Sequence, residues 1–243
     1  MKVRYDFNGC CVLVVGAASG IGRETALACV AAGAKVWAAD VDIAGLETLP
    51  THPMLRTAVL DIADSQASQA LITRIAASDG RIDAAVLTSA IQQRTPVDET
   101  TDVLWQRHLD VNLSGVFYLV RALMPVMKEQ RSGSIVTFTS GLASNGWPGA
   151  AAYAATKAGI VGLVKCAALE LRPFGVRINA LSPGLVATPV FLKSASAEEL
   201  SGYERAVGVS APDAVVPTLM HLIGDGSASI SGTVVERRLI PAS

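Results

Sequence analysis

The chain has 243 residues, a length that suits one large α/β domain better than two. Hydrophobic residues make up 51% and charged residues 17%, as in a globular protein whose sheet is covered on both faces. A formal net charge of -1 excludes any global electrostatic attraction to nucleic acid or an anionic membrane.

In chain order, Met1 to Asn8 are mixed polar and charged, unlike a signal peptide. Uninterrupted apolar runs are too short to span a bilayer, so a cytoplasmic protein without a membrane partner is expected. Strand 10–15 leads into Gly16-Ala17-Ala18-Ser19-Gly20-Ile21-Gly22 and then helix 21–32. Glycines permit a tight turn and let backbone N–H groups approach a pyrophosphate at a helix N-terminus. Many turns use glycine; the place between strand and helix is what makes this one informative. Strand 35–39 ends at Asp40, where a carboxylate accepts hydrogen bonds from an adenosine ribose. Its charge repels a 2′-phosphate, and neither Ser19 nor Val41 is basic, so NAD is expected over NADP. The competing reading makes Asp40 a cap for a helix starting near Ile43. Strand 56–60 is followed by Asp61-Ile62, a second acidic corner suited to the edge of the adenine or to a helix cap.

Helix 65–78 and strand 82–88 follow, the latter running into Thr88-Ser89-Ala90-Ile91. A long helical pattern over about 101–130 carries Asn112 in its middle, a mediocre helix former able to open the backbone ladder or hold a water. Strand 134–140 ends at Ser140. Helix 151–171 places Tyr153 and Lys157 at i and i+4 on one face. A free tyrosine titrates near about 10, and an adjacent ammonium stabilises the phenolate. Such a tyrosine serves as a general acid/base for an alcohol or ketone. Strand 177–181 opens into Ser182-Pro183-Gly184 with Thr188 beyond, then helices 196–206 and 212–223 and a weaker strand 232–236. This alternation predicts βαβ units, a mainly parallel sheet of about seven strands and helices on both faces: a single doubly wound Rossmann-type domain over 1–243. A cofactor half spans about 1–130 and a catalytic and substrate half about 131–243. A lid lies near 189–207.

Gly16, Gly20, Gly22, Asp40, Asn112, Ser140, Tyr153, Lys157 and Ser182-Pro183-Gly184 with Thr188 occur in an order and spacing that resembles the short-chain dehydrogenase/reductases, in their compact single-domain branch. The resemblance covers essentially the whole chain. It implies a catalytic tetrad of Asn112, Ser140, Tyr153 and Lys157. In that pattern Tyr153 is the general acid/base, Ser140 orients the substrate oxygen and Lys157 holds the nicotinamide ribose. Asn112 anchors a relay water. It also implies that NAD is contacted by the turn at Gly16, Ser19, Gly20, Ile21 and Gly22, by Asp40, Asp61, Ile62, Ser89 and Ala90, and by Pro183, Gly184, Val186 and Thr188. A homotetramer or dimer built through the helices at 101–130 and 151–171 follows by resemblance alone.

Three departures stand out. Val15 replaces the usual threonine before the first glycine. Thr88-Ser89-Ala90-Ile91 replaces the usual Asn-Asn-Ala-Gly, so Ser89 is expected to bond the backbone less extensively and Ile91 to crowd the nicotinamide and substrate. Val234-Val235-Glu236-Arg237-Arg238-Leu239 replaces a terminal Asp-Gly-Gly. On the substrate side, Ile91, Leu142, Trp147, Val190 and Phe191 offer apolar surface beside Ser140. Arg94, Gln92, Gln93 and Asn145 are polar candidates, with Arg94 read as a solvated loop arginine. His52, His108 and His221 lack ligand spacing, so no metal is expected. Cys10, Cys11, Cys29 and Cys166 show no paired spacing and read as free thiols in a reducing compartment. The expected function is an NAD-dependent interconversion of a secondary alcohol and a ketone. The alternatives are an NADPH-dependent 3-oxoacyl-type reductase and a catalytically silent dinucleotide-binding protein.

Overall fold

Among the described residues, short runs of β-branched and small apolar residues form seven strands: β1 Cys11–Val15, β2 Lys35–Asp40, β3 Leu55–Val59, β4 Ala84–Leu87, β5 Gly133–Phe138, β6 Val176–Ser182 and β7 Val234–Glu236. The computed structural model describes residues 3–206 and 208–238. Met1, Lys2, Val207 and residues 239–243, assigned from sequence to the domain and, for Val207, to the lid, lie outside them. The strands form one sheet in the order β3-β2-β1-β4-β5-β6-β7, with every pairing parallel. Every residue of β1 and β4 is buried, which explains why they read as continuous apolar runs without alternation.

The helices are α1 Gly20–Ala31, α2 Ile43–Glu47, α3 Ser65–Asp79, α4 Asp102–His108, α5 Val116–Gln130, α6 Leu142–Asn145, α7 Ala151–Leu171, α8 Pro189–Ser194, α9 Ala197–Ala206 and α10 Val216–Ile223. Leu13 and Val15 turn to the face covered by α3, α5 and α7, against Ile72, Leu119 and Ile160. Val12 and Val14 turn to the other face, against Ala26 and Cys29 of α1 and Leu219 of α10. Each large side chain so enclosed contributes about 1.5–3 kcal/mol of hydrophobic stabilisation. The chain lays β2 and β3 on one side of β1, then crosses to place β4 on the other. That reversal opens a crevice beyond the carboxyl ends of β1 and β4.

The elements depart from expectation at the boundaries. The helical pattern over 101–130 is divided: α4 and α5 are joined by a π-helical segment, Leu109–Gly115, with Asn112 at its centre. Strand β5 stops at Phe138, so Ser140 lies in the turn after the strand and does not end it. The helix expected over 212–223 begins as a 3₁₀ turn, Pro212–Val215, before α10. The short helices α6 and α8 lie in segments read as loop and lid.

Candidate active site

At the switch point the glycine turn meets the end of β4. A Cβ on Gly16 would collide with Thr88 Oγ1 and lie 2.8 Å from Ser89 N, so only glycine lets the two turns close. One on Gly22 would strike Gly16 O, which fixes how closely α1 packs on the turn. Ser19 stands at the N-cap of α1 in extended backbone, and its side chain makes no cap hydrogen bond. The first-turn amides of α1 are therefore not consumed by a side-chain cap and suit an anion. Thr188 faces them: its Cγ2 lies 3.2 Å from where a Cβ of Gly20 would stand.

These groups line one cavity of about 1100 Å³ that runs along the carboxyl edge of the sheet. Every residue assigned from sequence to the site reaches its wall except Gln93 and Asn112, the latter fully buried behind it, and Ala17 and Ala18 of the turn are likewise buried. At one end, Asp40 accepts from Ala18 N at 2.9 Å and from Asp42 N at 3.0 Å. It does not cap the helix near Ile43; Asp42 does, accepting from Gly45 N. Asp61 accepts from Ala63 N and lies 4.0 Å from Arg107, while Asp64 caps α3. Asp61 and Ile62 are thus left as cavity wall, and each oxygen of Asp40 keeps a lone pair for a further donor.

At the other end, Tyr153 and Lys157 project from the first turns of α7. Lys157 is 2% exposed, donates from Nζ to Phe138 O at 2.9 Å, and its Nζ lies 5.5 Å from the centre of the Tyr153 ring. Burial brings its ammonium down to about 8. Burial pushes the Tyr153 phenol up to about 12, against a hydrogen bond from Ser140 that pulls it down. The turn that carries Ser140 is held by Leu142 N, which donates to Ser140 Oγ at 3.2 Å. Asn112 accepts from Ile91 N and donates to Ile91 O, both at 2.8 Å. It is not a solvated polar position: its amide clamps the chain just after β4, and the surrounding π turn opens the backbone ladder.

Between these ends lies the turn after β6. Val186 is 5% exposed, and its bridge to Ser210 runs through the peptide groups of Leu185 and Ala187. Its own N–H has no acceptor among the described residues, as a carboxamide site requires. Arg237 donates to Pro183 O at 2.8 Å and its N–H to Ser182 O at 2.9 Å, so the unusual carboxyl-terminal stretch pins the Pro183-Gly184 turn. The cradle therefore fits a nicotinamide dinucleotide: an uncapped helix N-terminus, a carboxylate 22 residues after Ala18 on the neighbouring strand, and a free buried amide.

Sequence reasoning missed several residues. The hydroxyl lost at Val15 is supplied by Thr88, whose Oγ1 donates to Val15 O at 2.9 Å and Gly16 O at 3.2 Å. Thr88 thus takes the backbone role expected of Ser89, whose hydroxyl makes no hydrogen bond among the described residues. Arg94 is not solvated: it pairs with Glu199 at 2.6 Å with its side chain 20% exposed. Tyr203 packs between Trp147, at 5.9 Å, and Phe191, at 6.0 Å, closing an aromatic wall over the substrate end with Ile91 and Leu142. The altered motif itself was the signal for Thr88; the pairing of Arg94 and the place of Tyr203 depend on partners far along the chain.

A family model for short chain dehydrogenase matches residues 10–199. The chain is 32% identical over 230 residues to the 3-oxoacyl-(acyl-carrier-protein) reductase of Thermotoga maritima, covering 92% of this chain and 94% of that protein. It is 32% identical over 242 residues to the D-threitol dehydrogenase of Mycolicibacterium smegmatis, 96% and 93% of the two chains. A solved 3-ketoacyl-(acyl-carrier-protein) reductase from Brucella melitensis, complexed with NADH, superposes with a TM-score of 0.89 at 25% identity, covering 96% of this chain and 98% of that one. With tyrosine, lysine, serine and a dinucleotide cradle gathered in one cavity of a seven-stranded parallel sheet, the chain belongs to the short-chain dehydrogenases and is an oxidoreductase that interconverts an alcohol and a ketone.

Proposed function

We propose that the protein is an NAD-preferring dehydrogenase of secondary alcohols, with Tyr153 as general acid/base. The observation that carries this reading is the Tyr153 phenol, which shares the cavity wall with Ser140 and has the Nζ of the buried Lys157 5.5 Å from the centre of its ring. A nicotinamide, when bound, would supply a positively charged hydride acceptor in oxidation and a neutral hydride donor in reduction. Ser140 holds the reacting oxygen by its hydroxyl. Tyr153 takes the alcohol proton at Oη in oxidation and returns it in reduction. Lys157 keeps the phenolate accessible by its charge and meets ribose hydroxyls through the N–H bonds not spent on Phe138 O. Asn112 holds the chain at Ile91 and takes the role of anchoring a relay water. The aromatic and aliphatic surface of Trp147, Tyr203, Phe191, Ile91 and Leu142 favours a substrate with an apolar body.

Asp40 supports NAD: a 2′-phosphate would approach its carboxylate as a like charge, and Ser19 and Val41 offer no compensating cation. The second reading is an NADPH-dependent 3-oxoacyl-type reductase, whose substrate class is favoured by the name of the Thermotoga protein. We place the enzyme in the cytoplasm, where the buried Cys11 and Cys29 thiols, both pushed up to about 12 by burial, stay protonated and inert. The test is a panel of secondary alcohols with NAD and NADP in separate arms. Turnover with NAD is expected, and Tyr153→Phe should reduce it by about 10²–10⁴-fold. Turnover with NADP alone would transfer the conclusion to the reductase reading. Turnover that survives in Tyr153→Phe would remove the tyrosine from its role.

A further inference from the structure

His108 is fully buried, one helical turn before Asn112 on the stretch that runs from α4 into the π segment. Its Nδ1 lies 2.9 Å from Leu104 O and its Nε2 lies 3.2 Å from Gln93 N. A carbonyl only accepts and a backbone amide only donates, so Nδ1 carries the proton and Nε2 accepts. A single neutral tautomer satisfies both. Asn112 performs the matching task at Ile91, accepting from its N–H and donating to its carbonyl. Two residues further on, Thr95 N donates to Gly149 O at 2.8 Å.

The segment after β4 is therefore tied at residues 91, 93 and 95, every second residue, as a strand would be by a neighbour. No strand is present there; the side chains of His108 and Asn112, at i and i+4, replace its edge. Gln92 and Arg94 line the cavity together with Ile91, whereas Gln93 and Thr95 do not. Arg94 Nη1 donates to Glu199 Oε1. Glu199 also accepts from Ser196 N at 2.8 Å while its own N–H donates to Ser196 Oγ at 3.2 Å, a reciprocal capping box at the start of α9. Helix α9 in turn carries Tyr203 to the aromatic wall.

We infer that His108 is a positioning residue for the substrate wall: by accepting from Gln93 N–H it fixes the register that turns Gln92 and Arg94 toward the cavity, and through the Arg94–Glu199 pair it sets where α9 docks. The substrate role of that wall rests on the dehydrogenase reading above; the mechanical linkage does not. A change at His108 reaches Tyr203 through residues 91–95 and α9, a route that does not include the glycine turn.

Hydrogen exchange of the full chain tests the linkage with no substrate required. In His108→Leu, which keeps apolar bulk and loses the acceptor, exchange over residues 91–95 and over α9 should rise about tenfold, the scale of one buried hydrogen bond, while the glycine turn keeps its protection. His108→Gln, whose amide both accepts and donates, should restore protection. Glu199→Gln should loosen α9 and leave 91–95 protected, and it reads the outer half of the linkage should His108→Leu not fold. Unchanged 91–95 protection in folded His108→Leu, equal loss in His108→Gln, or an α9 untouched by Glu199→Gln would each overturn the inference. With a substrate from the alcohol panel, His108→Leu should raise KM several-fold more than it lowers kcat, and His108→Gln should reverse this; equal losses in both, unrelieved by Gln, count against it.

Discussion

Lys157 and Tyr153 are spaced for a helix, and that spacing became legible in the sequence only in the company of Ser140 and Asn112. Their electrostatics was not, because it depends on burial. Lys157 is brought down to about 8 by desolvation, below the ordinary lysine value of about 10.4. Between these limits the folded chain binds fewer protons than the unfolded one, so stability rises with pH and is lost as pH falls through 8. A depression of this size corresponds to roughly 3 kcal/mol. The stability difference between wild type and Lys157→Met, measured by urea unfolding without cofactor, should therefore move in favour of wild type as pH rises from about 8 to about 10. A flat difference would mean that Lys157 carries no such penalty. Tyr153 works in the opposite sense at higher pH: its folded value is about 12, so it contributes stability that fades above the ordinary value of about 10. Asp40 offers a residue-scale test of cofactor choice. Asp40→Asn removes the like charge and should narrow the NAD over NADP preference by about tenfold or more, read from kcat/KM with each cofactor. Preference unchanged in that variant would assign discrimination elsewhere.

Strands and long helices were readable because their periods, or their unbroken apolar runs, are properties of consecutive residues. Element ends were not. The π segment at Leu109–Gly115 keeps the helical hydrophobic pattern on both sides, so only Asn112 hinted at it. Strand β5 was read two residues too long because the polar run Thr139-Ser140 still suits a strand, although Phe138 already ends the pairing with β6. Thr88 shows the same limit at the end of β4. A threonine there is unremarkable until the fold brings Val15 O and Gly16 O within reach of its hydroxyl. Thr88→Val keeps the shape and deletes the donor. It should cost about 1–3 kcal/mol, the scale of an unmade hydrogen bond in a partly buried turn. For a domain of this size, that lowers Tm by about 2–4 °C per kcal/mol. The same variant should weaken NADH binding, measured by nicotinamide fluorescence, because the glycine turn loses its anchor to β4. A variant with unaltered Tm and affinity would show that the turn is held by sterics alone.

At the scale of the whole molecule, the doubly wound parallel sheet was legible because alternating strands and helices leave few ways to wind it. What covers the outside was not, since surface apolar residues follow no period of their own. Two helical stretches, Asp102–Gln130 and Ala151–Phe174, are long and apolar enough to cross a membrane by length and composition, yet both lie along the sheet face lined by Ile160 and Leu119. Their outward surface nevertheless keeps large hydrophobics: Val103 is 81% exposed, Phe117 41% and Leu169 71%. Arg121 stacks over Phe117 at 5.2 Å and over Tyr118 at 5.3 Å, a rim of the kind found where aromatic side chains enter an interface. Covering this face with a second copy would remove the exposed apolar area, provided each partner buries on the order of 800 Å². The expected outcome is a wild-type mass at a multiple of the 25.2 kDa chain in sedimentation velocity. Val103→Asp combined with Phe117→Asp should then return a 25.2 kDa species with unchanged circular dichroism. A wild type that sediments as a single chain at micromolar concentration, or a double variant that keeps the larger mass, would move the contact away from α4 and α5.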